Sequence, residues 1–208
     1  MSLHVFLVRH GESVWHEENR YAGVTDIDLS EHGRAQAERL ASWADRADLT
    51  AVWSSPMRRC RRTAEGSAAR AGLPLAVDPR LREVDFGIAE GMTRAEMRER
   101  LPGTLKAFEA DPVGSHFPEG EDPVAAAERY AGFLAGLRAA GHQEGRVLVV
   151  AHSTAIRLTL CRLLGVPLRD YRRVFPRLAN CALNELILRD GTPSLLALNQ
   201  HVTPGVPE

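Results

Sequence analysis

Apolar residues along the chain gather in short runs that stop at polar clusters, with longer amphipathic stretches between them. Leu3 to Val8 is the first run. It predicts a buried strand that delivers Arg9 and His10 to its C-terminal end. Ser30 then predicts the cap of a helix reaching about Ala44, with Ala35, Ala37, Leu40 and Ala41 facing inward. Ala51-Val52-Trp53 reads as a second strand, followed by the polar turn Ser54-Ser55-Pro56. Met57 to Ala71 reads as a helix closed by Gly72. Leu75 to Val77 predicts a third strand.

From Asp78 to Pro123 the pattern weakens and Gly and Pro recur, with short helices expected at Thr93–Arg100 and Thr104–Ala110. A long alanine-rich helix is expected from Pro123 to Ala140. Arg146 to Ala151 is the clearest buried strand. His152 follows it directly, and Thr154 to Leu164 predicts a helix ending at Gly165. Two last strands are expected at Ala182–Leu188 and Leu195–Asn199, joined by a hairpin around Asp190-Gly191. Thr203 to Glu208 reads as a loose tail.

Strands alternating with helices predict a three-layer α/β/α sandwich with a mostly parallel central sheet. All 208 residues are expected in a single domain, with 78–123 as a small helical insertion capping one end of the sheet. In such sheets ligands bind beyond the carboxyl ends of the strands. Arg9-His10, Ser54 to Arg59 and His152 all stand at such ends.

Composition narrows the classes. A net charge of -1 leaves no global basic field for nucleic acid or an anionic membrane. Of 26 cationic residues Lys106 is the only lysine, and the arginines are spread over the whole chain, which reflects composition rather than a site. The three cysteines, Cys60, Cys161 and Cys181, show no CxxC spacing, which argues against a disulfide framework or a structural zinc. Neither a signal peptide nor an apolar run near the ~20 residues of a membrane span is evident. The expectation is a soluble cytoplasmic protein without metal or cofactor.

An Arg-His pair taken alone is an ordinary surface feature. At a strand end beside Gly11 it becomes more specific, because a neutral imidazole is a nucleophile and a guanidinium fork matches phosphate oxygens. Gly11 allows close backbone approach, so nearby N–H groups are expected to face an anion. Arg59 is expected in the first turn of its helix, where the dipole also favours an anion. Arg58, Arg61 and Arg62 read as solvated or paired on the outer face. Leu81 to Gly87 offers loop carboxylates between apolar anchors, and His152-Ser153 opens a helix. Phosphoryl transfer needs a positioned nucleophile, cations around the equatorial oxygens and an acid for the leaving oxygen. No Walker-type GxxxxGK[ST] and no HExxH is present.

The ordered set resembles the histidine phosphatase superfamily, also called phosphoglycerate mutase-like. Its RHGE[ST] hallmark stands as Arg9-His10-Gly11-Glu12-Ser13. The likeness runs on through Trp15, Asn19-Arg20-Tyr21, Gly23, Asp26, Ser54 to Ala64, Leu81 to Gly91, Pro118 to Glu121, Val149 to Arg157 and Asn180. It implies that His10 becomes phosphohistidine, that Arg9, Arg59 and His152 hold the phosphoryl oxygens, and that Glu83 serves as acid and then as base. Phosphate-binding positions after the hallmark map to His16, Ala22 and Gly23. His16 stands where an asparagine is usual, Ala22 where serine or threonine is frequent, and Ser153 where glycine usually follows the second histidine; Ser153 is expected to narrow the phosphate pocket or add a hydroxyl contact.

A phosphatase acting on a small phosphorylated metabolite is favoured over a cofactor-dependent phosphoglycerate mutase. The segment from Gly87 to Pro123 is short, and its basic residues Arg94, Arg98, Arg100 and Lys106 lie on helix-like stretches. A non-catalytic phosphate-binding module is the remaining alternative. Phe86 and Phe117 read as packing anchors. Acidic Glu119, Glu121 and Asp122 would disfavour a highly anionic substrate if they faced the pocket. Oligomeric state is not readable, and a homo-oligomer stays open.

Overall fold

The computed structural model describes residues 2–189 and 193–202. Its centre is one six-stranded sheet. β1 (Leu3–Arg9), β2 (Ala51–Ser54), β3 (Leu75–Val77), β4 (Gly145–Ala151), β5 (Leu183–Leu188) and β6 (Ser194–Gln200) are ordered β3-β2-β4-β1-β5-β6. The first four are mutually parallel; β5 runs antiparallel to β1, and β6 antiparallel to β5. The sheet is thus mostly parallel, with an antiparallel pair at one side.

Both faces of the central strands are apolar because both are covered. Side chains alternate across a strand, so each strand divides its residues between two layers. Val147, Val149 and Ala151 of β4 join one core cluster, whereas Leu148 and Val150 join the other. β1 divides the same way, Leu3, Val5 and Leu7 against Phe6 and Val8. The second layer is roofed by α1 (Glu31–Ala44) and α2 (Arg58–Arg70). The first is roofed by α5 (Pro123–Ala139) and α6 (Ser153–Leu164), together with apolar residues between 81 and 117.

Helix ends follow local chemistry. The Ser30 hydroxyl accepts from Gly33 N–H at 3.0 Å and caps α1. Gly72 (φ +66°) and Gly165 (φ +70°) take the left-handed conformation just past α2 and at the end of α6. Thr93 and Glu96 form a reciprocal capping box on α3 (Arg94–Arg100). Two elements differ from expectation. α4 (Pro102–Ala110) begins two residues earlier than Thr104, because proline is tolerated in a first helical turn. α7 (Tyr171–Val174) is a single turn whose periodicity is too short to read. The expected Asp190-Gly191 hairpin turn and the Thr203–Glu208 tail lie outside the described residues.

Strand register builds the site. Arg9 pairs with Ala151, and Ser54 with Val150, so β1, β2 and β4 end side by side. The residues that follow are His10, Ser55 and His152. His10 N–H donates to the Ala151 carbonyl at 3.0 Å, and Ser55 N–H to the Val150 carbonyl at 3.0 Å.

Candidate active site

His10 and His152 face each other edge-on, with ring centroids 5.2 Å apart. His10 Nδ1 lies 2.7 Å from the Gly11 carbonyl oxygen. A carbonyl can only accept, so Nδ1 carries the proton and Nε2 keeps its lone pair. Burial, then the Arg59 and Arg9 charges, hold His10 well below the usual histidine range. Its ring is therefore neutral at pH 7. His152 is held down by burial and then by Arg59 and His10, and its Nε2 lies 2.8 Å from the Ser55 hydroxyl.

The two arginines differ in what they bind. Arg9 donates to the Leu178 carbonyl at 2.9 Å, and burial lowers its pKa to about 10. Arg59 is fully buried in the first turn of α2. Its terminal nitrogens donate to the carbonyls of Thr25 (2.8 Å), Ala22 (3.2 Å) and Gly23 (2.6 Å). The Nε–H of Arg9 and that of Arg59 are both buried without an acceptor on the protein. Buried donors are normally satisfied, so these two are free to meet an anion.

Glu83 is buried at the N-terminus of α6. It accepts from Val84 N–H and Ala155 N–H, both at 2.9 Å, and from Thr154 N–H at 3.0 Å. Those bonds favour the carboxylate, but desolvation outweighs them and its pKa is raised. A raised carboxyl can give a proton to a leaving oxygen and later take one from water.

An open cavity of about 220 Å³ borders this cluster. Arg9, His10, His16, Ala22, Glu83 and Ser153 all line it. Gly23 is not among the lining residues; its carbonyl is taken by Arg59, and an added Cβ would meet Glu90 Oε1 at 2.0 Å. Gly11 N–H donates to the Thr63 hydroxyl at 3.0 Å. Arg59 and His152 are fully buried next to His10. The acidic loop is likewise resolved. Glu121 is held by Arg82 and Arg129, Asp122 caps α5, and Glu119 is exposed, so none of them lines this cavity. Phe117 is fully buried, whereas Phe86 both packs on Tyr21 and lines the cavity.

Sequence reasoning missed the supports. Arg129 of α5 donates to the carbonyls of Arg80 (2.6 Å), Arg82 (2.7 Å) and Glu83 (3.0 Å), and pairs with Glu121 at 2.7 Å. It thereby clamps the loop that carries Glu83. Glu90 binds Thr25 and the Val24 N–H, and so holds the loop that Arg59 reaches. Arg172 of α7 lies over the Phe108 ring, donates to the Tyr21 hydroxyl at 3.0 Å and lines the cavity. An arginine on a helix gives no local signal of such reach; only the distant backbone that it meets does. Among the described residues, no group of three or more His, Cys, Asp or Glu could hold a metal ion.

A neutral imidazole, two unpartnered guanidinium N–H donors and a raised carboxyl at one sheet edge are the equipment of a phosphoryl-transfer enzyme. The family model for the histidine phosphatase superfamily (branch 1) matches residues 5–201. Phosphoserine phosphatase 1 of Hydrogenobacter thermophilus is 36% identical over 167 residues, covering 80% of this chain and 79% of that protein. A probable phosphoglycerate mutase, GpmB, of Escherichia fergusonii is 33% identical over 184 residues, 88% of this chain and 84% of its own. A solved mycobacterial glucosyl-3-phosphoglycerate phosphatase superposes with a TM-score of 0.86 at 27% identity, covering 96% of this chain and all of that one. The chain belongs to the histidine phosphatase superfamily. Its activity class is phosphomonoester hydrolysis.

Proposed function

We propose that this phosphatase hydrolyses a small-molecule phosphomonoester through a phosphohistidine on His10. The observation that carries the reading is the 2.7 Å bond from His10 Nδ1–H to the Gly11 carbonyl, which leaves Nε2 unprotonated. In the first step Nε2 attacks phosphorus, the P–N bond forms and the P–O bond to the leaving alcohol breaks. Glu83 gives its proton to that oxygen. The Gly11 carbonyl stabilises the positive charge that develops on the ring, a charge-assisted hydrogen bond. In the second step Glu83 takes a proton from water, the water oxygen attacks phosphorus and the P–N bond breaks. Phosphate leaves, and His10 and Glu83 return to their starting states.

Arg9 and Arg59 would bind the equatorial oxygens through their unpartnered Nε–H groups, with His152 beside them. His16, Ala22 and Ser153 would border the bound group from the cavity wall. Residues 78–123 serve as a cap of the same domain. Three buried free cysteines suit a reducing setting, in keeping with a cytoplasmic enzyme. No helix among the described residues is long and apolar enough to cross a membrane.

Phosphoserine and glucosyl-3-phosphoglycerate, on which relatives are named to act, both carry a carboxylate near the phosphate ester. Arg172 on the cavity wall, which hydrogen-bonds tyrosine hydroxyls rather than a carboxylate, favours a leaving group of that kind. The GpmB likeness keeps a mutase as the second reading. A panel of phosphoserine, 2- and 3-phosphoglycerate and sugar phosphates tests both, with His10→Ala as control. Free phosphate released by the wild type and lost in the variant supports the phosphatase. Exchange of 2- and 3-phosphoglycerate without net release supports the mutase. Phosphate release that survives His10→Ala refutes the mechanism.

A further inference from the structure

A second, larger cavity of about 500 Å³ lies on the other side of Arg9. Three arginines (Arg9, Arg39 and Arg177) and three histidines (His16, His32 and His201) line it. Its one carboxylate is Glu12, whose Oε1 already accepts from the Ser30 hydroxyl at 2.8 Å. The chain as a whole has a net charge of -1, so this concentration of cations is local. Arg39 and Arg177 are exposed and have no ion-pair partner among the described residues. Arg9, His16 and Asn19 border both cavities, so the two lie side by side at Arg9.

We infer that the chain carries a second anion-binding site beyond Arg9, formed by Arg39 and Arg177 with His16 and His32, that takes a phosphate or carboxylate group distinct from the one placed at His10. Glu12 offsets at most one of the three arginine charges, the remainder repel one another, and a bound anion relieves that repulsion. The same repulsion is felt within the cluster. Burial and then Arg9 lower the His16 pKa, Glu12 opposes them, and Arg177 and His32 add smaller lowering effects. A cavity of this size exceeds what one phosphate fills and falls in the range of sites for whole small ligands. The anion is either the far end of a substrate whose phosphoryl group sits at His10, or a separate polyanion.

The experiment uses the full chain and tripolyphosphate as the probe, with p-nitrophenyl phosphate as a substrate carrying no second anionic group. Arg39→Glu/Arg177→Glu is the main variant, and Arg39→Gln/Arg177→Gln the milder one should charge reversal disturb folding. The expected result is tripolyphosphate affinity weakened at least tenfold by the Glu pair and less by the Gln pair. The kcat/KM for p-nitrophenyl phosphate should stay within about threefold. Competitive inhibition of p-nitrophenyl phosphate hydrolysis by tripolyphosphate in the wild type assigns the site to a substrate's far end. Binding without competition assigns it to a separate anion. Affinity that stays within twofold in both variants overturns the inference. So does an equal loss of tripolyphosphate binding and of p-nitrophenyl phosphate KM, which would mark a diffuse field. Hydrolysis of p-nitrophenyl phosphate by the wild type reads the phosphatase activity separately, so failure here leaves that reading standing.

Discussion

Replacing Glu83 by glutamine separates its two roles. Its carboxylate accepts three backbone N–H groups, two on Oε1 and one on Oε2. A glutamine has one carbonyl oxygen. Its best orientation places that oxygen at the Val84 and Ala155 donors and turns the NH2 toward the Thr154 donor. One buried hydrogen bond is lost and two donors confront each other, which costs about 1–3 kcal/mol. For a domain of this size that corresponds to a fall in Tm of roughly 2–12 °C. The proton function is lost outright, a general-acid contribution of about 100- to 10,000-fold. The assay is kcat/KM across a series of alkyl and aryl phosphates, with circular dichroism to verify the fold. Alkyl phosphates, whose leaving oxygen needs a proton, should slow by that full factor. For p-nitrophenyl phosphate, transfer to His10 should slow far less, while phosphohistidine accumulates because its hydrolysis lacks a base. A folded Glu83→Gln protein that hydrolyses alkyl phosphates within threefold of wild type would refute the reasoning.

The pH profile should follow the two displaced groups. His10 is held well below 6.5, so kcat/KM should persist as pH falls through 6.5, where an ordinary histidine would protonate and lose nucleophilicity. Glu83 is raised above its usual range, so activity should decline on the alkaline side as it ionises, and that limb should vanish in Glu83→Gln. An acid limb centred at 6.5 in the wild type would contradict this. Arg129→Met removes the clamp on the 80–83 carbonyls and half of the pairing of Glu121. It should cost about 3 kcal/mol in urea unfolding and lower kcat more than it raises KM; unchanged kcat would show that the clamp does not position Glu83. Gly33→Ala should destabilise by about 1–3 kcal/mol, because the new Cβ would meet the Glu12 carbonyl oxygen at 1.9 Å behind His10. Gly132→Ala, exposed in α5 with nothing within 4 Å of its Cβ position, should instead stabilise by about 0.5–1 kcal/mol. Equal melting shifts for the two would be inconsistent with the packing described.

Among the described residues, the six strands and six of the seven α-helices were legible in the chain, because each is a local pattern. Val147 to Val150 reads as a strand from four apolar residues in a row, and Ser30 reads as a cap from its place before α1. The family was legible too, since its marks are short motifs in a set order. Tertiary structure decided which of these residues meet. The pairing of Arg9 with Ala151 and of Ser54 with Val150 brings three strand ends together across almost 150 residues of chain, and no periodicity encodes that register. It also decided what each charge does. Arg59 turns its terminal nitrogens on the 22–25 loop, Arg129 clamps the Glu83 loop, and Arg39 and Arg177 are left to face a cavity. In one dimension Arg39, Arg129 and Arg177 are alike. Burial and the carbonyls within about 3 Å give Arg129 its task, exposure gives Arg39 and Arg177 theirs, and these are properties of the packed chain alone.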